Sequence, residues 1–336
     1  MPGVDKSAEE SGKAPIAAIC APPNNSNNGS IPQPRQPNSL QGLLRFAMSA
    51  TENGSLESKF QPMDEERKRF LETALRTMTI NVVEVLHRQI EILMKVETLK
   101  DGDDVSNYLD AFETIMEYID NIDIANDFHK IGGFVILKPC LNCKNDKIRS
   151  AVCGLIAELC QNNPYCQKII IDHEFVPILV NILNKDEDQV GVKCIYALSA
   201  IVRNNEEGLS QLIRYGGLNV LLKTLKKEDD KFRTKTAFLL NSLCRSEPDF
   251  KSRLIFLEII PILINLISQE RKPSSEHILS LLLSLVEDNA TALNDCRNPE
   301  YNFKEILQNY ISNIDNKEEF QEEKEYCKRL MHLIFI

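Results

Sequence analysis

Five histidines, ten cysteines and a few adjacent acids are the side chains of this sequence that could carry chemistry. A metal centre or an acid–base pair needs such groups at fixed separations. His87, His129, His173, His277 and His332 are scattered along the chain, and none stands in an HExxH pattern. Cys140 and Cys143 form one CxxC, which a zinc site would complete with a second pair. Cys160/Cys166 and His173 do not supply one. A redox couple of Cys140 and Cys143 is the enzymatic reading that remains. Cys153, Cys160, Cys194 and Cys244 fall on apolar helical faces, where a thiol behaves as a small hydrophobe. The acid pairs Asp103/Asp104 and Asp229/Asp230 sit in turns, as solvated charge. No GxGxxG, GxxxxGK[ST] or GxSxG loop occurs. The expectation is a protein with no catalytic residues, no metal, no cofactor and no nucleotide site of its own.

The elements that carry these residues repeat. Leu159-Cys160-Gln161-Asn162-Asn163, Ile201-Val202-Arg203-Asn204-Asn205, Leu243-Cys244-Arg245-Ser246-Glu247 and Leu285-Val286-Glu287-Asp288-Asn289 follow one another at intervals of 42, each closing an apolar helical segment. A second series, Ile131–Leu137, Asp172–Leu179, Tyr215–Leu222 and Leu257–Leu263, shares a hinge pair followed by apolar pairs. Taking Gly133, Glu174, Gly217 and Glu258 as the second hinge residue gives steps of 41, 43 and 41, a drift attributed to loop length. Charged turns at 144–147, 185–188, 226–231 and 270–275 separate the second helix of each unit from a third. No run alternates with period two. The pattern predicts an all-α, armadillo-like right-handed helical solenoid of about four repeats over 107–296. Helical caps are expected at 62–106 and 297–336, the first carried by Phe70, Leu71, Leu75, Met78, Val82, Val83, Leu86, Ile90, Leu93 and Met94, the second by Tyr326, Leu330, Leu333 and Ile334.

A net charge of -10 argues against nucleic acid or an anionic membrane as partner, because phosphate contacts require clustered Lys and Arg. The apolar segment Leu254–Ile267 is broken by Glu258, Pro261 and Asn265, which suits a buried helix better than a membrane span. The start lacks a basic region followed by a long apolar core, so a cytoplasmic or nuclear address is expected. Residues 1–61 read as a disordered leader rich in Pro, Asn and Ser. Inside it lies an apolar island at 38–48, with Leu40, Leu43, Leu44 and Phe46. It is either a helix docked as a cap or a tethered recognition peptide.

A partner would meet the exposed row of the third helices, at i, i+3, i+7 and i+10. That row is Lys193, Tyr196, Ala200, Arg203 in one unit and Lys235, Phe238, Ser242, Arg245 in the next, flanked by Gly154, Glu158, Gln161 and by His277, Ser284, Glu287. Stacked cations and rings suit a folded, acidic protein surface. A phase slip of one residue would instead bury Tyr196 and Phe238. Peptide-binding armadillo proteins carry an Asn ladder on the third helix. Glu158, Ala200, Ser242 and Ser284 stand at those positions, so a peptide-cargo adaptor is the second choice.

The chain resembles the armadillo-type nucleotide exchange factors of the 70-kDa heat-shock chaperone, the heat-shock-70-binding-protein family. The resemblance runs from about 38 to 296. It is carried by Asn38–Leu44, Met63–Arg67, Asn126-Asp127-Phe128, Val192–Leu198 with Leu209, and Lys235–Leu240. It implies a co-chaperone whose concave face clasps one lobe of the chaperone's ATPase domain until ADP leaves. It also implies a leader in which Leu40, Leu43 and Leu44 mimic a client. Two departures stand out: His173-Glu174 and Leu257-Glu258 in place of Gly-Gly, and no secure counterpart after 296.

Overall fold

A computed structural model of the chain describes Arg69 and residues 81–185, 188–314 and 317–336. Among the described residues the protein is helical, with seventeen α-helices and no strand. Two helices lead, α1 (Val82–Leu93) and α2 (Ser106–Ile119). Triplets follow. The first is α3 (Ile122–Lys130), a 3-10 turn at Gly133–Ile136 running into α4 (Leu137–Leu141), and α5 (Asp146–Cys160). The second is α6 (Pro164–Asp172), α7 (Phe175–Lys185) and α8 (Asp188–Val202). The third is α9 (Glu206–Arg214), α10 (Gly217–Lys226) and α11 (Asp230–Ser246). The fourth is α12 (Pro248–Phe256), α13 (Ile259–Ile267) and α14 (Ser275–Val286). The chain closes with α15 (Ala290–Cys296), α16 (Phe303–Ile314) and α17 (Gln321–Phe335). All these helices belong to the unit Leu71–Ile336.

Third helices stack on third helices: α2, α5, α8, α11, α14 and α17 touch in that order, and α7, α10, α13 and α16 form a second file. A single triplet cannot bury its own apolar stripe, so stacking supplies the continuous core. Leu159, Ile201, Leu243 and Leu285, the heads of the repeated motif, are all buried in it.

The polar ends of those motifs have a structural duty. Asn162, Asn204 and Asp288 take the left-handed conformation, which short polar side chains tolerate best after glycine. The asparagine that follows each, Asn163, Asn205 and Asn289, caps the next helix by accepting from the backbone N–H of Cys166, Gly208 and Ala292. The third unit departs from this. α11 runs on to Ser246, and Glu247 precedes α12 without a side-chain cap.

Left-handed residues also mark the junction between first and second helices: Gly132, Glu174, Gly216 and Glu258, each 42 positions after the last. This corrects the hinge alignment. The unequal steps from Gly133 and Gly217 compared non-equivalent positions, and the residues standing for Gly-Gly are Glu174-Phe175 and Glu258-Ile259. At Gly217 a Cβ would lie 2.3 Å from Leu212 Cδ1 and 2.8 Å from its carbonyl oxygen, so that junction admits no side chain. In the alternating units Phe175 and Ile259 fill the corresponding place, buried.

Three smaller expectations shift. Leu254–Ile267 is two helices, parted by the left-handed Glu258. Val83 and Met94 are exposed while Leu86, Ile90 and Leu93 carry the apolar face of α1. In α17 Leu333 is exposed, and Cys327 joins Leu330 and Ile334 inside. The apolar island with Leu40, Leu43, Leu44 and Phe46, and the apolar positions Phe70–Met78, lie outside the described residues.

Candidate functional site

A third helix packed between two like neighbours leaves one narrow stripe to solvent, and long side chains must lie along it or across to the next helix. Lys193 on α8 and Lys235 on α11 are exposed, as is Arg245. Tyr196 is half-buried against the core, and Phe238 keeps 48% of its surface in solvent. Neither ring belongs to the buried core, so the helical phase read from the spacing holds at both.

The side chains cross from helix to helix. Tyr196 donates its hydroxyl to Glu158 Oε1 on α5 at 3.1 Å, and Lys235 Nζ on α11 lies 5.4 Å from the Tyr196 ring centroid. Arg203 Cζ at the end of α8 sits 5.8 Å from the Phe238 ring, which meets His277 of α14 edge-on at 6.2 Å. Glu287, just past α14, is bridged by Arg329 of α17 at 2.5 Å. Gln161 is half-exposed beside Glu158 on the same turn. The sequence-predicted residues therefore gather along one file of helices. Burial, then the Glu158 carboxylate, pushes the Tyr196 hydroxyl above its ordinary range, so it stays protonated and donating at neutral pH.

Of the small positions of the predicted row, Ser242 is half-exposed and the other three are buried. Ala200 is 3% exposed, its carbonyl taken by Gln167 Nε2 at 2.8 Å. Gly154 is covered by Lys193, whose Cδ would stand 3.9 Å from a Cβ there. Ser284 is buried and donates to Asn241 Oδ1 at 2.6 Å, while Asn241 Nδ2 donates to Ser280. Small residues lie flush between longer neighbours, so helical phase alone overstates their exposure. Two polar atoms of the row, Arg203 Nε and Gln161 Oε1, are buried without a hydrogen-bond partner. They are groups a bound partner could satisfy.

The arrangement offers cations, rings and carboxylates for contact, with no nucleophile held against a base. Cys140 is buried and its thiol is pushed up to about 12, chiefly by burial. That suits packing rather than exchange chemistry.

Sequence reasoning missed a second cluster. Glu323 of α17 is 1% exposed, gripped by Arg271 through Nε at 3.1 Å and Nη2 at 2.6 Å, with the Tyr310 hydroxyl donating to its other oxygen. Arg271 in turn stacks 3.5 Å from the Phe320 ring centroid. The available signal was Glu323 standing in helical register with Cys327, Leu330 and Ile334. Arg329 was also missed, although it stands one period of 42 after Glu287, because the repeats were expected to end at 296.

Comparison with known proteins adds the following. Residues 124–247 match the family model of the SIL1/FES1/HPBP1 C-terminal domain, and residues 40–128 that of nucleotide exchange factor Fes1. The first match ends at the junction where the capping pattern lapses. Hsp70-binding protein 1 of Mus musculus is 30% identical over 314 residues, 90% of this chain and 87% of that protein. Hsp70 nucleotide exchange factor FES1 of Coccidioides immitis (strain RS) is 33% identical over 106 residues, 31% of this chain and 50% of that protein. Among solved structures, a designed armadillo repeat protein in complex with the peptide (KR)4 superposes with a TM-score of 0.60 at 14% identity, over 76% of this chain and all of that one. That likeness speaks for the armadillo fold alone.

Proposed function

The chain belongs to the SIL1/FES1/HPBP1 family of Hsp70 nucleotide exchange factors, and from that premise we propose that its third-helix file forms the concave face that clasps one lobe of the Hsp70 ATPase domain. Lys193, Lys235, Arg203 and Arg245 steer toward an acidic surface, and Tyr196 and Phe238 provide the anchors. The observation that carries this reading is the crossing row itself: half-exposed rings and cations from neighbouring helices, in a chain whose net charge is -10.

The mechanism needs no catalytic group. A clamp that binds the lobe better when the nucleotide cleft is open weakens ADP binding by the factor that ADP weakens the clamp. ADP leaves, ATP enters, and the client is released. Leu40, Leu43, Leu44 and Phe46 of the leader would occupy the chaperone's peptide groove meanwhile and discourage rebinding. The cytoplasmic or nuclear address expected from the sequence belongs to the same proposal.

Stopped-flow release of a labelled ADP from the isolated ATPase domain tests the reading. Acceleration by the full chain is expected, and an unchanged release rate would end it. A peptide-cargo adaptor would instead bind basic or extended peptides with an affinity that survives charge reversal at Lys193 and Lys235.

A further inference from the structure

Away from that row, a pocket of about 500 Å³ opens between the end of α10, the start of α11 and the α13 helix. Two cations, Lys226 and Arg233, line it. Arg233 is 5% exposed, its side chain makes no hydrogen bond or ion pair among the described residues, and its Nε is buried without a partner. A guanidinium nitrogen that has lost water without gaining a partner, in a side chain with no counter-charge, is costly for a fold to hold.

The repeat supplies an internal control. Arg149 stands two periods of 42 before Arg233, at the same place in its third helix. There the guanidinium is satisfied locally: Nη1 donates to the carbonyls of Cys143 at 2.8 Å and Lys144 at 2.7 Å. Arg233 makes no such bond to the turn carbonyls before α11 and lines the pocket instead. The fold therefore has a means of satisfying an arginine at this position and, in the third unit, does not use it.

We propose that this pocket binds a carboxylate carried on an apolar body. Arg233 presents the planar fork that matches a carboxylate, and Lys226, exposed at the rim, adds a second cation. Glu258 also lines the pocket, so its net charge favours a monoanion over a phosphate dianion. Leu257, Ile262 and Leu266 form the wall against which the apolar body lies. The site is separate from the chaperone-facing row and does not depend on it.

Calorimetric titration of the full chain with sodium benzoate, at constant ionic strength, tests the proposal. Saturable binding is expected, weakened at least about tenfold by Arg233→Met, the cost of losing a charged hydrogen-bond partner. Because Arg233→Met also removes an unpaired buried charge, its urea midpoint should equal or exceed that of the parent. Lys226→Met, on the exposed rim, should weaken benzoate binding without touching the core, and Glu258→Gln should tighten it. No saturable binding, or binding unchanged in both Arg233→Met and Lys226→Met, would overturn the site. Benzyl alcohol or phenyl phosphate binding more tightly than benzoate would overturn the ligand class.

Discussion

Two clusters of this protein draw on the same four kinds of side chain, a carboxylate, a tyrosine hydroxyl, a cation and an aromatic ring. In the central units they are Glu158, Tyr196, Lys235 and Phe238, spread across neighbouring helices with Lys235 and Phe238 in solvent. At the C-terminal end they are Glu323, Tyr310, Arg271 and Phe320, with the carboxylate wholly enclosed. Burial decides what the set is for. A screened ion pair or cation–ring contact contributes about 1 kcal/mol or less and is free to be exchanged for a partner's groups. An enclosed carboxylate that has lost its water must keep its donors, so the closing cluster fixes α16 and α17 to the repeat before them.

The comparison is most exposed at Glu323. Glu323→Ala leaves Arg271 and Tyr310 facing a dry gap and should lower unfolding stability by about 3–5 kcal/mol, read by urea denaturation. A loss under 1 kcal/mol would erase the distinction between the clusters. Next is Phe238→Ala, expected to cost about 2 kcal/mol in affinity for the ATPase domain by calorimetry while moving the urea midpoint little. Lys235→Glu should slow association and flatten its dependence on salt, measured by stopped flow at two ionic strengths, again with stability nearly unchanged.

Turn chemistry extends the comparison at lower amplitude, since it acts on folding alone. Asn205→Ala removes the cap of α9 and should cost about 1 kcal/mol in stability with ADP release rates unaltered. Smallest is Glu174→Gly. It relieves a left-handed residue of roughly 1–2 kcal/mol of strain but loosens the unfolded chain by about 0.5–1 kcal/mol, for a net gain of about 0–1.5 kcal/mol in the urea-derived stability.

The repeat and its third-helix stripe were legible because the apolar heads Leu159, Ile201, Leu243 and Leu285 recur without a slip. Lys193, Tyr196, Arg203, Lys235 and Phe238 then follow from helical geometry. The hinge register was not legible, because two junctions place glycine in the left-handed position and two place glutamate. Residue type alone does not say which of two neighbouring positions turns the chain. From α14 onward the helix starts drift from 42, α14 beginning 45 residues after α11 and α17 46 after α14. The closing cluster keeps the period, with Glu323 and Cys327 standing 42 after the buried Leu281 and Leu285, but it lies past 296, where the repeats were expected to end. Arg233 was hidden for another reason: the same residue type at the same phase is satisfied in one unit and stranded in another.

The break at Ser246-Glu247 carries its own consequence. A stacked array gives way where a turn holds it least, and here the chain enters α12 with neither the left-handed Asn or Asp nor the amide cap used at the other three turns. Under mechanical pull or limited protease, the array should part at this seam, releasing the last helices as a block while the earlier layers stay shut.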